Sequence, residues 1–257
     1  MGVSVPDRQA EIVERPIVEL VNGQGAGPLV VVCEHASPHI PPGLGNLGLS
    51  PGVGTSHVAW DPGAAEIALR LARRFDSPLV LGKVSRLVYD CNRPPEVPDA
   101  MPAVSEVYRI PGNEGLGETE RAARIRTYYR PFEALLDETL AARPGAVLVT
   151  VHTFTPVFHG ARRSVEIGIV HDADSRLADA ILEVASGYDT RRNDPYGPAE
   201  GVTHTLKRHA LPRGLLNVMI EVRNDLVATP AAAGAVADRI GGWLETALAR
   251  LAAEAGA

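Results

Sequence analysis

The chain has 257 residues, 45% of them hydrophobic, which suits one large α/β domain, and residues 1–257 are read as a single domain. Its formal net charge is −6 and its pI is near 5.8, with the 25 Lys and Arg residues scattered rather than blocked. That balance excludes the electrostatic footprint of a nucleic-acid or anionic-membrane binder and favours a small-molecule partner.

In chain order, the first thirty residues lack a cationic start followed by an apolar core. No apolar run approaches the roughly 20 residues a bilayer needs, so a soluble, cytoplasmic protein is expected. Ile17–Val21 reads as a short edge strand before the Asn22-Gly23 turn signal. Leu29 to Cys33 is five apolar residues in a row, a strand buried on both faces, and it ends abruptly in Glu34, His35 and Ser37. Cys33 at the end of such a strand is a small core residue, and its distance from Cys91 excludes a close-spaced metal motif. Residues 38–54 are rich in Pro, Gly and Leu and read as a loop over the strand end. Asp61 and Pro62 occupy N-cap and first-turn positions for a helix whose apolar face is 64, 68, 71, 72 and 75. Residues 78–81 and 87–89 read as two further strands, the second followed by Asp90, Asn92 and Arg93. Residues 94–117 form a long excursion of the kind that makes lids and binding loops. A helix follows over about 118–143, kinked at Pro131. Ala146–Val151 is a strand ending at His152, and 165–170 is another. A helix is marked by Leu177, Ala178, Ile181, Leu182 and Ala185, and a second long loop spans 187–214. Asn217–Val222 is a strand carrying Glu221, and Thr229-Pro230 opens the final helix.

Strands alternating with helices predict a mainly parallel sheet covered on both faces, with strand ends converging on one edge. Such an edge gathers His35, Asn92, Arg93, His152 and Glu221. Two neutral imidazoles and a carboxylate can hold zinc while leaving a position for water, so His35 and His152 are read as ligands. Asp61 is the choice for the third, although its capping role would explain it equally, and Glu34 is the rival carboxylate. An ionised Glu221 among buried-strand neighbours is costly without a task, and it fits a general base. Arg93 and Arg223 suit bidentate capture of a substrate carboxylate, and Arg86 is a candidate for the developing oxyanion. His57 and His204 stand in reserve.

The assembled motifs resemble the N-formylglutamate amidohydrolase family. They are Cys-Glu-His-Ala-Ser at 33–37, Asp-Pro-Gly at 61–63, Ser-Arg-Leu-Val-Tyr-Asp-Cys-Asn-Arg-Pro at 85–94 and Val-His-Thr-Phe at 151–154. Gly-Val-Thr-His-Thr at 201–205 and Asn-Val-Met-Ile-Glu-Val-Arg-Asn-Asp-Leu at 217–226 complete the set. The resemblance implies a three-layer α/β/α sandwich similar to zinc carboxypeptidases and muramoyl-alanine amidases, with a mixed sheet of the eight-stranded type. It implies one Zn2+, or another divalent metal, on His35, Asp61 and His152. It also implies Glu221 as the catalytic carboxylate and Asn92-Arg93 as the carboxylate clamp. The implied reaction is hydrolysis of the N-acyl amide of an acidic amino acid, most simply N-formyl-L-glutamate to formate and L-glutamate. The chain departs from many relatives at Phe132-Glu133, where they have Tyr-His, and in Glu-His-Ala-Ser, where they have Pro-His-Ser-Gly. Both departures bear on the substrate rather than on the metal site.

Overall fold

The computed structural model of the protein describes residues 16–256. Seven strands form its central sheet: β1 Val18–Val21, β2 Leu29–Cys33, β3 Leu79–Gly82, β4 Val147–Phe154, β5 Ile167–Val170, β6 Thr190–Arg192 and β7 Asn217–Arg223. Five α-helices accompany them: α1 Ala64–Arg74, α2 Glu118–Arg124, α3 Arg130–Ala141, α4 Arg176–Val184 and α5 Pro230–Ala255. The spatial order is β1-β3-β2-β4-β7-β5-β6. The pairs β3/β2, β2/β4, β4/β7 and β5/β6 are parallel, while β1 on β3 and β5 on β7 are antiparallel. The sheet is therefore mixed and mainly parallel as expected, with seven strands among the described residues instead of eight.

Alternation along each strand sorts the two faces. Val31, Val149, Val151, Ile220 and Val222 pack on α1, α4 and α5, while Val30, Val32, Leu148 and Met219 pack on α3. Continuing the same alternation, Glu34, His152 and Glu221 fall on the α3 side of the sheet. The register sets Glu221 beside His152 on one flank and Gly168 on the other. A Cβ at Gly168 would lie 2.3 Å from the Asp194 carbonyl oxygen and 3.3 Å from the Glu221 Cβ, so the bare backbone there makes room for the carboxylate chain.

Several local expectations change. Residues 87–89 form no strand: Val88 and Tyr89 donate their backbone N–H groups to Ser85 in a turn. The Leu87 and Val88 carbonyls are met by the side chains of Asn113 and Arg124 instead of a neighbouring strand. Their apolar side chains bury in satellite clusters above the sheet. The long helix is continuous, but residues 125–129 open into a π-turn in which Arg130 N–H reaches back to the Ile125 carbonyl. Pro131, which has no N–H to give, follows directly and accounts for the interruption where a kink was expected. The 187–214 stretch is also less irregular than its composition suggests. It holds β6 and the π-turn Leu206–Ala210, whose Leu206 and Ala210 join the core on the α3 side.

Helix α1 begins at Gly63, not at Asp61. Gly63 has φ +85°, and a Cβ there would approach Val227 Cγ2 to 2.5 Å. Its left-handed backbone turns the chain so that Asp61 faces inward instead of capping. Gly63→Ala is expected to lower unfolding free energy by about 2 kcal/mol or more, through strain and overpacking together. An unchanged urea midpoint and slope would contradict this account of the turn.

Candidate active site

The strand ends and the two long loops enclose a cavity of about 390 Å3. His35, Asp61, Arg86, Asp90, Asn92, Arg93, His152 and Glu221 all contribute to its wall. At its floor three buried atoms converge. His35 Nδ1 is 3.2 Å from Asp61 Oδ2, His152 Nδ1 is 3.0 Å from the same oxygen, and the two Nδ1 atoms are 3.2 Å apart. His35 and Asp61 meet because Asp61 N–H donates to the His35 carbonyl across 26 residues of chain. β4 supplies His152 and, one residue later, a backbone N–H that donates to Asp61 Oδ2.

The outer nitrogen of each imidazole faces a further carboxylate. His35 Nε2 is 2.7 Å from Asp90 Oδ1, and His152 Nε2 is 3.1 Å from Glu34 Oε2, close but misaligned for a hydrogen bond. A carboxylate can only accept, so it favours a proton on the Nε2 it faces, and in a neutral ring of that tautomer the Nδ1 lone pair turns inward. Three acceptors are then packed together, an arrangement that calls for positive charge at its centre, from a metal ion or, in its absence, from protons on the rings. A tetrahedral site with bonds of about 2.0 Å has edges of about 3.3 Å, close to the three separations observed. Carboxylates behind the imidazoles are the usual second layer of such a site. His35, Asp61 and His152 could therefore hold a metal ion.

The titration of the groups follows from the same contacts. Burial would raise Asp61 and Asp90, but the facing His35 and the Arg86 guanidinium outweigh it and hold both well below the usual carboxylate range. Glu34 moves down in the same way, against burial, through His152 and Thr205. Burial opposes charge on the imidazoles too, yet Glu34 and Asp61 raise His152, and Asp90 and Asp61 raise His35. At Glu221 burial prevails, and the carboxyl is pushed up to about 7 with Asp61 adding to the rise.

Glu34 is thus placed behind His152 and not at the convergence point, its other oxygen accepting from Thr205 Oγ1 at 2.6 Å. Arg86 lines the cavity but spends its fork on Asp61 Oδ1 and Asp90 Oδ2, at 3.2 and 2.8 Å. Asn92 spends both ends of its amide on the Val202 carbonyl and the Thr205 N–H, tying down the 201–205 segment. Arg93 gives one nitrogen to the Gly201 and Asn92 carbonyls, and no described carboxylate pairs with it. Arg223 is not brought to the cavity. It is held by Asp225 and by the carbonyls of residues 163–165 at the far end of β7, because β7 runs through residue 223 before the chain turns. His57 stands at the rim, 2.9 Å from Glu106, while His204 bonds Tyr129 away from the cavity. The Phe132-Glu133 departure does not reach the cavity either: Phe132 is core, and Glu133 pairs with Arg130 and Arg208. Asp90, Thr205 and Tyr196 are site residues without an assigned role in the sequence. Asp90 and Thr205 lie inside the quoted motifs, two residues before Asn92 and one after His204.

Residues 27–228 match the family model for N-formylglutamate amidohydrolase, most of the chain. The chain belongs to the N-formylglutamate amidohydrolase family. A crystal structure of a gene product from Agrobacterium tumefaciens is 52% identical, with a TM-score of 0.90 over 91% of this chain and 96% of that one. The N-formylglutamate amidohydrolase of Ralstonia eutropha shares the fold at 17% identity and a TM-score of 0.54, over 90% of this chain and 96% of that one. No curated protein matches the chain. No described helix is long and apolar enough to cross a membrane.

Titration of the metal-free protein with zinc is expected to show one tight site per chain. Because both imidazoles are raised and must shed protons, affinity rises with pH and weakens as pH falls. Asp90→Asn should weaken zinc by about 10–100-fold through loss of ring orientation, and His152→Ala should abolish the site. Retention of tight zinc in His152→Ala would contradict the assignment.

Proposed function

We propose that this family member is a zinc-dependent amidohydrolase that cleaves the N-acyl amide of an amino acid bearing a free carboxylate. N-formyl-L-glutamate plus water giving formate and L-glutamate is the reaction against which it is first measured. The observation that carries this reading is the convergence of His35 Nδ1, His152 Nδ1 and Asp61 Oδ2 at 3.0–3.2 Å in a cavity that also presents Glu221. Zinc held by these three side chains supplies Lewis acidity toward the amide carbonyl and makes water acidic near pH 7.

The chain's own residues do the rest. Glu221 is buried, and its Oε2 has no hydrogen-bond partner among the described residues. It takes the proton of the attacking water and passes it to the departing nitrogen, so that an acyl carboxylic acid and a free amine leave. A carboxyl pushed up to about 7 suits both halves of that transfer. Arg93 holds the substrate carboxylate through the nitrogens its carbonyl partners leave unused. Asn92 fixes the 201–205 segment to which the Gly201 carbonyl belongs. Arg86 holds Asp61 and Asp90 in place, and its commitment to both leaves it a positioning residue rather than an oxyanion donor.

Glu221→Gln is expected to keep zinc and lower kcat by about 10²–10⁴-fold. Turnover at the wild-type rate in the zinc-loaded variant would remove Glu221 from the reaction. A chelator should abolish activity and added zinc restore it, and chelator-insensitive hydrolysis would rule out the metal reading.

A further inference from the structure

An amide attacked by water gathers negative charge on its carbonyl oxygen, and the donors on the cavity wall differ in what they have left to offer it. Arg86 is committed to Asp61 and Asp90. The Asn92 amide donates to the Val202 carbonyl, and the hydroxyls of Thr153 and Thr155 donate to the carbonyls of Pro62 and Val157. His57 faces Glu106 at the rim, and Arg93 is assigned to the substrate carboxylate. Tyr196 is placed differently. It lines the same cavity, its hydroxyl oxygen accepts from Arg163 Nη2 at 3.0 Å, and no described residue accepts its O–H. A phenol has one proton to give, and with its oxygen held by Arg163 that proton is left for a ligand.

Two sets of contacts hold the phenol there. The Asp194 carbonyl lies against the bare backbone of Gly168, the residue paired with Glu221, so the chain reaches Tyr196 two residues after passing Glu221. Arg163 holds the other side. Its guanidinium lies over the rings of Phe154, Phe158 and Tyr196, at 5.5, 4.4 and 4.8 Å from their centroids, and no described carboxylate pairs with it. The Arg163 N–H donates to the Pro156 carbonyl and closes the hairpin of Val157–Phe158 and Ala161–Arg162 that follows β4. The strand that supplies His152 thus leads directly to the anchor of Tyr196. Burial first and Glu221 second raise the phenol against the guanidinium groups of Arg163 and Arg86, so it keeps its proton. A cation donating to the hydroxyl oxygen also makes its O–H a stronger donor.

Resting on the amidohydrolase reading above, we infer that Tyr196 is a catalytic residue whose O–H donates to the carbonyl oxygen of the scissile amide as charge develops there, with Arg163 as its positioning residue. As the water oxygen bonds to the acyl carbon, the carbonyl π pair moves onto oxygen and meets the Tyr196 O–H. The pair returns as the C–N bond breaks, and the nitrogen leaves with the proton that Glu221 carries to it. Tyr196 keeps its own proton throughout. Its contribution therefore falls on the attack and not on the binding of the substrate.

Tyr196→Phe, which keeps the ring and its stacking on Arg163, tests this in the zinc-loaded protein. On N-formyl-L-glutamate it is expected to lower kcat by about 10²-fold, with KM changed by less than about threefold. A second readout needs no turnover: titration with the methylphosphonamidate of L-glutamate, whose tetrahedral phosphorus carries charged oxygens. Its affinity should fall in Tyr196→Phe by about the same factor as kcat/KM. N-formyl-L-glutamate should bind equally well to Glu221→Gln with and without Tyr196→Phe. Arg163→Gln should lower kcat by about tenfold in the otherwise wild-type chain and have little further effect on Tyr196→Phe. Equal losses in the two backgrounds would remove Arg163 from its positioning role. Wild-type kcat in Tyr196→Phe, a loss confined to KM, or a phosphonamidate that does not distinguish Tyr196→Phe from wild type would each overturn the inference. Absence of turnover by the wild type would instead sink the amidohydrolase reading, and the phosphonamidate titration would still decide the role of Tyr196.

Discussion

Three buried acceptor atoms held at 3.0–3.2 Å from one another are the constraint on which the rest of the molecule turns. Lone pairs packed that closely repel, and a protein interior amplifies the repulsion, so the arrangement requires positive charge at its centre. The surroundings are arranged to supply a fixed amount of it. Glu34, Asp61 and Asp90 bring three negative charges, and Arg86 answers one. Without a metal, protons on the two imidazoles answer the other two, which is why both rings are raised. A divalent cation replaces those two protons without altering the sum. The buried charge is thus balanced in either state, and Glu221 stands outside that balance with burial holding it near neutrality.

The fold exists around this cluster in a specific sense. Alternation in β2, β4 and β7 sends Glu34, His152 and Glu221 to one face, and the β4/β7 register sets the last two side by side. The opposite face of the same strands packs on α1, α4 and α5 and contributes no chemistry. The loop residues arrive by side-chain capture of backbone. Arg124 and Asn113 hold the 87–113 stretch, and Asn92 holds 201–205, so the parts of the wall that lie off the sheet are fixed by hydrogen bonds.

What could be read in the sequence follows from how local each signal is. A continuous apolar run such as Leu29–Cys33 can only be a buried strand, and the polar residues after it had to emerge at an edge. Glu221 was conspicuous because nothing local could justify a charge in Val-Met-Ile-Glu-Val. Leu87–Tyr89 looked the same as a strand over three residues, and only the distant Asn113 and Arg124 decide otherwise. Asp61 before a proline has the local signature of a helix cap, but Gly63 takes the turn and frees it. Asp90 and Arg223 illustrate the same limit from both sides. Asp90 finds His35 across 55 residues, and Arg223 finds the carbonyls of 163–165 across about 60, neither partnership being marked by spacing or periodicity.

Zinc K-edge X-ray absorption on the loaded protein tests the central claim most directly. A first shell of nitrogen and oxygen only, at about 2.0–2.1 Å, with the outer-shell scattering of two imidazoles, is expected. Sulfur at about 2.3 Å from Cys33 or Cys91, or a shell without imidazole scattering, would contradict it.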